Sequence, residues 1–173
     1  MVESASPADL QSSFERAGEF YKLPFYLALN ERFVRSLPIS PGQNVLDLGC
    51  GTGANTQLIA DKVGENGKIF AVDILERALA EARARLTNLK TPIEFIRGKA
   101  EELSAFLRDI AGQVDAVMIG NAIHNFEDKP KVIDQVREIL RPGGLVAFNS
   151  TFFDGARPEE EKKFYERWIL RAS

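Results

Sequence analysis

Residues 47–53 read Asp47-Leu48-Gly49-Cys50-Gly51-Thr52-Gly53, a glycine-rich heptad that closes an apolar run. Glycines placed directly after a strand allow a tight turn and let a ligand approach the backbone N–H groups at the start of the next helix. Gly49, Gly51 and Ala54 also fit the Gly-x-Gly-x-x-Gly/Ala fingerprint of dinucleotide-binding turns. The heptad therefore predicts a strand, a ligand-binding turn and a helix, in that order.

Short apolar runs rich in β-branched residues recur along the chain and alternate with amphipathic segments. Five such runs read as strands, at residues 45–48, 68–73, 93–96, 114–119 and 145–148. Apolar residues recur at helical spacing between them, as Leu75, Leu79, Ala82 and Leu86 do in one segment and Val132, Ile133, Val136, Ile139 and Leu140 do in another. Gly64, Gly67 and residues 142–144 mark helix ends. The fold class is therefore α/β, with parallel strands joined by crossover helices.

The chain reads as a single domain because it holds no internal repeat, low-complexity tract or linker. It has three parts: residues 1–40 as two N-terminal helices (7–20 and 24–37), residues 41–150 as the ligand-binding βα core, and residues 151–173 as a loop and a last helix. The second N-terminal helix carries an apolar stripe that we expect to pack over one end of the sheet: Phe25, Leu29, Phe33 and Leu37.

Composition limits the class of partner. The chain has 173 residues, 22 Lys and Arg against 25 Asp and Glu, and a net charge of −3, which argues against an electrostatic grip on nucleic acid. A single cysteine, Cys50, allows no internal disulfide and no multi-cysteine metal site, so we expect a cytoplasmic protein without a metal. The first residues lack a basic and apolar leader, and no run is long enough to span a membrane. The partner is expected to be a small molecule.

Two ligand classes fit the glycine turn. Asp73 lies 20 residues beyond Gly53, where an acid can hold a ribose diol, so a nicotinamide dinucleotide fits. Asp47, two residues before Gly49, would repel the pyrophosphate of such a dinucleotide. S-adenosylmethionine carries no phosphate, and an acid at the end of the strand suits its cationic portion.

At this point the chain resembles the class I S-adenosylmethionine-dependent methyltransferases, over about residues 40–150. The heptad is similar to the family's first motif, and Asp73 resembles the acid that accepts hydrogen bonds from both ribose hydroxyls. Ile74 resembles the apolar residue against the adenine. The resemblance implies a doubly wound, mostly parallel Rossmann-like sheet of order 3-2-1-4-5, with S-adenosylmethionine as cofactor and S-adenosylhomocysteine as product.

Residues 98–103 resemble the family loop that recognises adenine. Lys99 stands where the family often has an acid, so we expect a backbone contact at Ala100 or the carboxylate of Glu101 to take its place. Asn121 resembles the position whose carbonyl faces the methionine ammonium, and residues 140–145 resemble the turn into the fifth strand. The resemblance implies these cofactor-binding residues: Asp47, Gly49, Cys50, Gly51, Gly53, Asp73, Ile74, Ala100, Glu101 and Asn121, with Tyr21 as a lid.

His124, the sole histidine, follows the fourth strand on the edge where open α/β sheets bind ligands. An imidazole there suits the removal of a proton from a hydroxyl or acidic carbon, so His124 is the candidate general base. The alternative is a histidine that only shapes the pocket. Asp47 and Asp73 have structural alternatives too, as caps of the following turn and helix. Cys50 reads as a small turn residue, because no base adjoins it in sequence.

The leading function is methyl transfer from S-adenosylmethionine to a small organic acceptor by direct displacement. Two alternatives stay open: an NAD(P)-dependent oxidoreductase, and a cofactor-binding module without turnover of its own. Many family members add an antiparallel hairpin that completes a seven-stranded sheet, whereas 23 residues follow Ser150 here. The fifth strand would then be an apolar edge. We expect that two copies dimerise through this edge, that the last helix folds over it, or that the chain is part of a longer polypeptide.

Overall fold

The computed structural model describes residues 24–150. Five strands are present there: β1 (Asn44–Leu48), β2 (Lys68–Asp73), β3 (Ile93–Arg97), β4 (Val114–Gly120) and β5 (Leu140–Asn149). The α-helices are α1 (Pro24–Ser36), α2 (Ala54–Val63), α3 (Glu76–Leu86), α4 (Leu103–Phe106) and α5 (Lys129–Ile139). Short 3₁₀ helices cover Ala100–Glu102, Arg108–Ile110 and Ile123–Asn125.

The sheet has the predicted order, β3-β2-β1-β4-β5, and every neighbouring pair is parallel. β1, β2 and β4 lie inside the sheet and are almost wholly buried. A strand covered on both faces needs apolar residues at nearly every position, which explains why these segments read as continuous runs rather than alternating ones. The α/β prediction, with its strand order and parallel pairing, is confirmed.

Two buried clusters cover the two faces of the sheet. One packs α4, α5 and the loop after β4 against inward residues that include Leu46, Val117 and Ile119. The other packs α1 and α2 against Val45, Ile69 and Met118. Alternate residues of a strand point to opposite faces, which is why Val45 and Leu46 belong to different clusters. The carboxyl ends of β1, β2 and β4 therefore meet between two packed layers.

The buried face of α1 differs from the predicted stripe. Phe25 and Leu29 are exposed, and the residues that face the protein are Tyr26, Asn30 and Val34. Phe33 and Leu37 do pack against the core. The amino-terminal half of the predicted stripe is not buried, because the hydroxyl of Tyr26 is hydrogen-bonded to the side chains of Asn30 and Asn121 and turns that face of the helix inward. Hydrophobic spacing does not reveal such a pattern.

β5 begins earlier than predicted. Leu140 pairs with Val114 and Leu145 pairs with Ala116, so residues 141–144 bulge opposite Asp115 alone. Asp115 braces this bulge, since its Oδ1 accepts from Arg141 Nε at 2.7 Å and its Oδ2 accepts from the Asn44 amide at 2.7 Å. The Pro-Gly-Gly segment, predicted as a turn before the strand, is a bulge inside it.

β5 is an edge strand within the described residues, and it exposes Val146 (40%) and Phe148 (57%). In the part of the chain that the structure describes, no helix combines the length and apolarity required to cross a bilayer. The predicted helices at 7–20 and in 151–173, together with Tyr21, lie outside the described residues.

Candidate active site

The glycine heptad forms a tight turn between β1 and α2. The amides of Gly49 and Cys50 both donate to the carbonyl oxygen of Val72, at 2.8 and 3.0 Å, and the Gly53 amide donates to the Cys50 carbonyl at 3.0 Å. These bonds fix the turn against the carboxyl end of β2. As predicted, the heptad follows a strand and opens a helix, with Gly53 as the residue before α2.

Two glycines of the turn serve different purposes. A Cβ at Gly49 would collide with the Cβ of Ala122, so this glycine lets the loop after β4 approach the turn. A Cβ at Gly51 would meet no protein atom within 4 Å, yet the backbone there has a positive φ of 54°. The turn thus leaves open space above Gly51, where a ligand can reach the backbone.

Asp73 at the end of β2 joins this turn. Its Oδ2 accepts from the Gly51 amide at 2.8 Å, and its Oδ1 accepts from the Leu75 amide at 2.9 Å. Burial raises the pKa of the carboxyl, and the backbone hydrogen bonds oppose that rise. Leu75, not Asp73, precedes the first turn of α3, so Asp73 stabilises the entry to the helix without being its N-cap. Ile74 beside it is 40% exposed and presents an apolar surface next to this carboxylate.

Asp47 lies beneath the turn and is completely buried. Its Oδ2 accepts from the Thr56 hydroxyl at 2.6 Å, whereas its Oδ1 has no hydrogen-bond partner among the described residues. Burial raises the pKa of this carboxyl to about 7, against the lowering effect of Thr56 and with a smaller rise from the charge of Asp73. A buried acceptor without a donor is costly, so Oδ1 is suited to a cationic or donor group of a ligand.

Asn121 follows β4 and has a left-handed backbone, with φ of 53°. Its amide donates to the side-chain Oδ1 of Asn149 at 2.8 Å and to the Asn149 carbonyl at 3.1 Å. Its side chain bonds to Tyr26. The ends of β4 and β5 and the helix α1 therefore fix the predicted ammonium-facing residue.

Three polar residues around this edge were not predicted. Tyr26 and Asn30 come from α1, and Asn55 in the first turn of α2 lies so close to Gly120 that a Cβ there would collide with its Nδ2. All three are buried, and their side-chain polar atoms gather near Asn121 and Gly120. The sequence signal that could have revealed them is an asparagine on a helix face that otherwise points to the core.

The loop after β3 packs against the loop after β4. Ala100 is buried, and Lys99 is exposed. The Oε1 atom of Glu101 accepts from the amides of Glu127 and Asp128, at 3.0 and 3.4 Å. An adenine contact by Ala100 or Glu101 stays a prediction. The carboxylate of Glu101 is already hydrogen-bonded to the loop that precedes α5.

His124 lies in the 3₁₀ turn after β4, on the carboxyl edge that also holds Asp47 and Asp73. Its Nδ1 is 3.1 Å from the Ser150 Oγ. Burial, and to a lesser extent the charge of Lys129, lowers the pKa of this imidazole below its usual range. The ring is therefore neutral near pH 7 and able to accept a proton.

Cys50 is buried in the turn, and burial together with the negative charges of Asp47 and Asp73 raises the pKa of its thiol. Such a thiol stays protonated and is a poor nucleophile, in line with the interpretation of Cys50 as a small turn residue. No group of three or more metal-ligating side chains occurs within residues 24–150.

Comparison with known protein families gives a match over most of the sequence. The sequence profile described as "Methyltransferase domain" matches residues 39–167, well over half of the chain. The chain belongs to the class I S-adenosylmethionine-dependent methyltransferase family. The family's cofactor is S-adenosylmethionine.

Curated relatives and solved structures agree with this assignment. The methyltransferase domain is 32% identical over 120 residues to a demethylmenaquinone methyltransferase of Bacillus mycoides, covering 69% of this chain and 49% of the relative. It is 32% identical over 124 residues to an arsenite methyltransferase of Halobacterium salinarum, covering 70% and 30%. A crystal structure of a SAM-dependent methyltransferase from Aquifex aeolicus shares the fold, with a TM-score of 0.67, 21% identity, and coverage of 90% and 85%. The chain thus spans about half the length of the first relative and less of the second.

Proposed function

We propose that this chain binds S-adenosylmethionine and transfers its methyl group to a small organic acceptor by direct displacement. The observation that carries the proposal is the 2.8 Å hydrogen bond from the Gly51 amide to Asp73 Oδ2. It joins the turn expected beneath the methionine portion to the acid expected on the ribose, so two adjacent portions of the same ligand would lie against directly bonded residues.

Each residue of the turn has a distinct part in this proposal. Asp73 keeps acceptor capacity for the ribose, since its two oxygens offer about four lone-pair sites and the backbone amides of Gly51, Ile74 and Leu75 bond to them. Ile74 offers an exposed apolar surface to the adenine. Asp47 supplies a buried acid, and Gly49, Cys50 and Gly53 shape the turn. Tyr21 as a lid stays a prediction.

The cofactor, when bound, supplies a methyl group already activated by the sulfonium. The protein's remaining tasks are to align the acceptor and, for an acidic hydroxyl or carbon, to remove its proton. His124 fits the second task because its lowered pKa leaves it neutral near pH 7. The contact between Nδ1 and Ser150 orients the ring, and Nε2 is then the atom that we expect to take the proton.

The organic acceptor in this proposal is supported by one of the relatives. That relative is named a demethylmenaquinone methyltransferase, and we propose that this chain likewise methylates an organic molecule. An acceptor with an acidic hydroxyl or carbon would suit a neutral imidazole as the base.

Isothermal titration calorimetry with S-adenosylhomocysteine tests the proposal. Wild type should bind, Asp73→Ala should lose affinity by at least about tenfold because two buried acceptors disappear, and the exposed-site control Asp61→Ala should bind as wild type does. No binding to wild type, or equal binding to both variants, would refute it. Titration with NAD(P) tests the oxidoreductase alternative: binding of NAD(P) alone would establish it.

Three further expectations stay predictions: two copies pair through the β5 edge, the protein is cytoplasmic, and this chain turns over substrate by itself. Each one is tested by its own measurement. A screen of metabolites with labelled cofactor addresses turnover and the acceptor together.

A further inference from the structure

We infer that Glu101 is a positioning residue. Its carboxylate couples the loop after β3, which is the proposed adenine-binding side, to the loop after β4, which bears His124. The inference rests on the proposed function, because it takes the 98–103 segment as the adenine side and His124 as the base. It differs from an adenine contact by Glu101, since the carboxylate here acts on protein backbone.

The geometry is a single carboxylate oxygen shared by two amides. Glu101 Oε1 accepts from Glu127 N at 3.0 Å and from Asp128 N at 3.4 Å. These two residues directly precede α5, whose N-cap is Asp128. A negative charge at the start of a helix is favourable, so Glu101 stabilises the entry to α5 from a distance of 26 residues in sequence.

The two loops also share a core. Ala100 and Ala122 are buried in one cluster, and Ile123 and Phe126 pack against it. A second tie lies next to the first and joins α4 to the middle of α5, since Gln135 Oε1 accepts from Ser104 N at 2.8 Å and from Ser104 Oγ at 2.7 Å. Hydrogen bonds and shared packing therefore connect the segment after β3 to both the start and the middle of α5.

His124 lies between two anchors. On one side the Asn121 amide is bonded to Asn149, and His124 itself contacts Ser150. On the other side, three residues beyond His124, the Glu127 amide is bonded to Glu101. Loss of the Glu101 carboxylate would release this second anchor and leave the segment after His124 less well held.

A ligand that orders the backbone at Ala100 also orders Glu101, its direct neighbour. The two hydrogen bonds then pass that order to Glu127 and Asp128. Cofactor binding would thereby place the base before an acceptor arrives, which is a coupling between two sites through a defined contact.

Hydrogen–deuterium exchange of residues 126–131, measured with and without saturating S-adenosylhomocysteine, tests this without an acceptor. Wild type should show slower exchange with the ligand. Glu101→Gln keeps an acceptor oxygen and should retain the effect, whereas Glu101→Ala should lose it and exchange about tenfold faster in this segment. Glu102→Ala, the exposed neighbour, is the matched control and should behave as wild type.

Affinity separates the outcomes. Thermal unfolding of Glu101→Ala shows that the variant folds, and its affinity for S-adenosylhomocysteine, measured by calorimetry, shows whether the carboxylate also contacts the cofactor. Ligand-induced protection that persists in Glu101→Ala would overturn the inference, and so would an affinity loss above about tenfold, which would assign Glu101 to the cofactor itself. Failure of wild type to bind the ligand would instead refute the proposed function.

Discussion

The Thr56 hydroxyl donates a 2.6 Å hydrogen bond to Oδ2 of Asp47, and no other group bonds to this carboxyl among the described residues. The pair joins the end of β1 to the first turn of α2 inside the protein. One donor does not compensate a fully buried charge, so the carboxyl binds a proton more tightly than an exposed acid does.

The contribution of Asp47 to stability should fall as the pH rises from about 4 to about 7 in the absence of cofactor, because burial raises the pKa of this carboxyl from 3.8 to about 7 on folding. Between these values the native state binds more protons than the unfolded state, which favours folding at the acidic end. Asp47→Asn removes this contribution, so its free energy of unfolding should depend less on pH. Urea unfolding at pH 5 and pH 8 measures both slopes, and equal slopes in the two proteins would contradict the prediction.

Affinity for S-adenosylhomocysteine should rise from pH 6 to pH 8. Its ammonium is attracted by the ionised form of Asp47, which becomes populated across this interval. Asp47→Asn should bind with a flatter pH dependence. Calorimetry at three pH values checks this, with the exposed control Asp61→Asn expected to follow wild type.

Gly51→Ala should abolish cofactor binding while leaving the protein folded. Gly51 and Gly112 both have positive φ and open space where a Cβ would stand, so an alanine at either costs about 1 kcal/mol of backbone strain. At Gly51 the added methyl enters the space proposed for the ligand, and at Gly112 it does not. Thermal unfolding should shift similarly in both variants, but calorimetry should show binding only in Gly112→Ala.

Lys62→Met should destabilise the fold. The Lys62 ammonium donates to the carbonyls of Val34, Arg35 and Leu37 at the end of α1, so it caps that helix from α2. Loss of this charged cap should lower the free energy of unfolding by about 1–3 kcal/mol. Lys131→Met, an exposed change on α5, should leave it nearly unchanged.

His124→Gln should lower kcat by about 100-fold if the imidazole is the base. In wild type, the rate should rise with pH through an apparent pKa below the usual histidine value of 6.5, because burial and Lys129 lower it. A rate that is independent of pH in this region, or unchanged in the variant, would leave His124 as a residue that only shapes the pocket. The assay uses the acceptor found by the labelled-cofactor screen.

Local signals in the sequence predict the strands and the glycine turn, and the family resemblance adds the order of the strands. Runs such as residues 68–73 are apolar at nearly every position because both faces are covered, and Gly64 ends α2 as a helix stop should. The bond from Glu101 to Glu127 is different, because 26 residues separate its partners and nothing in either segment indicates the other.

The sequence did not predict the start of β5 or the buried face of α1, and the physical reason is related. Pro142-Gly143-Gly144 has turn composition, yet Asp115 holds it as a bulge within the strand. Asn30 is polar, yet it is buried, because Tyr26 bonds both to it and, beyond the helix, to Asn121 after β4. In both places a tertiary hydrogen bond overrides the local preference.

The near-contact between Gly49 and Ala122 limits how this domain can be re-engineered. Because a Cβ at position 49 would collide with the Cβ of Ala122, a library aimed at new acceptors has no freedom at position 49. Variation can begin at Ile123, which is half-buried and is not the proposed base. The contact between Gly49 and Ala122 also sets how near the loop after β4 can come to the glycine turn.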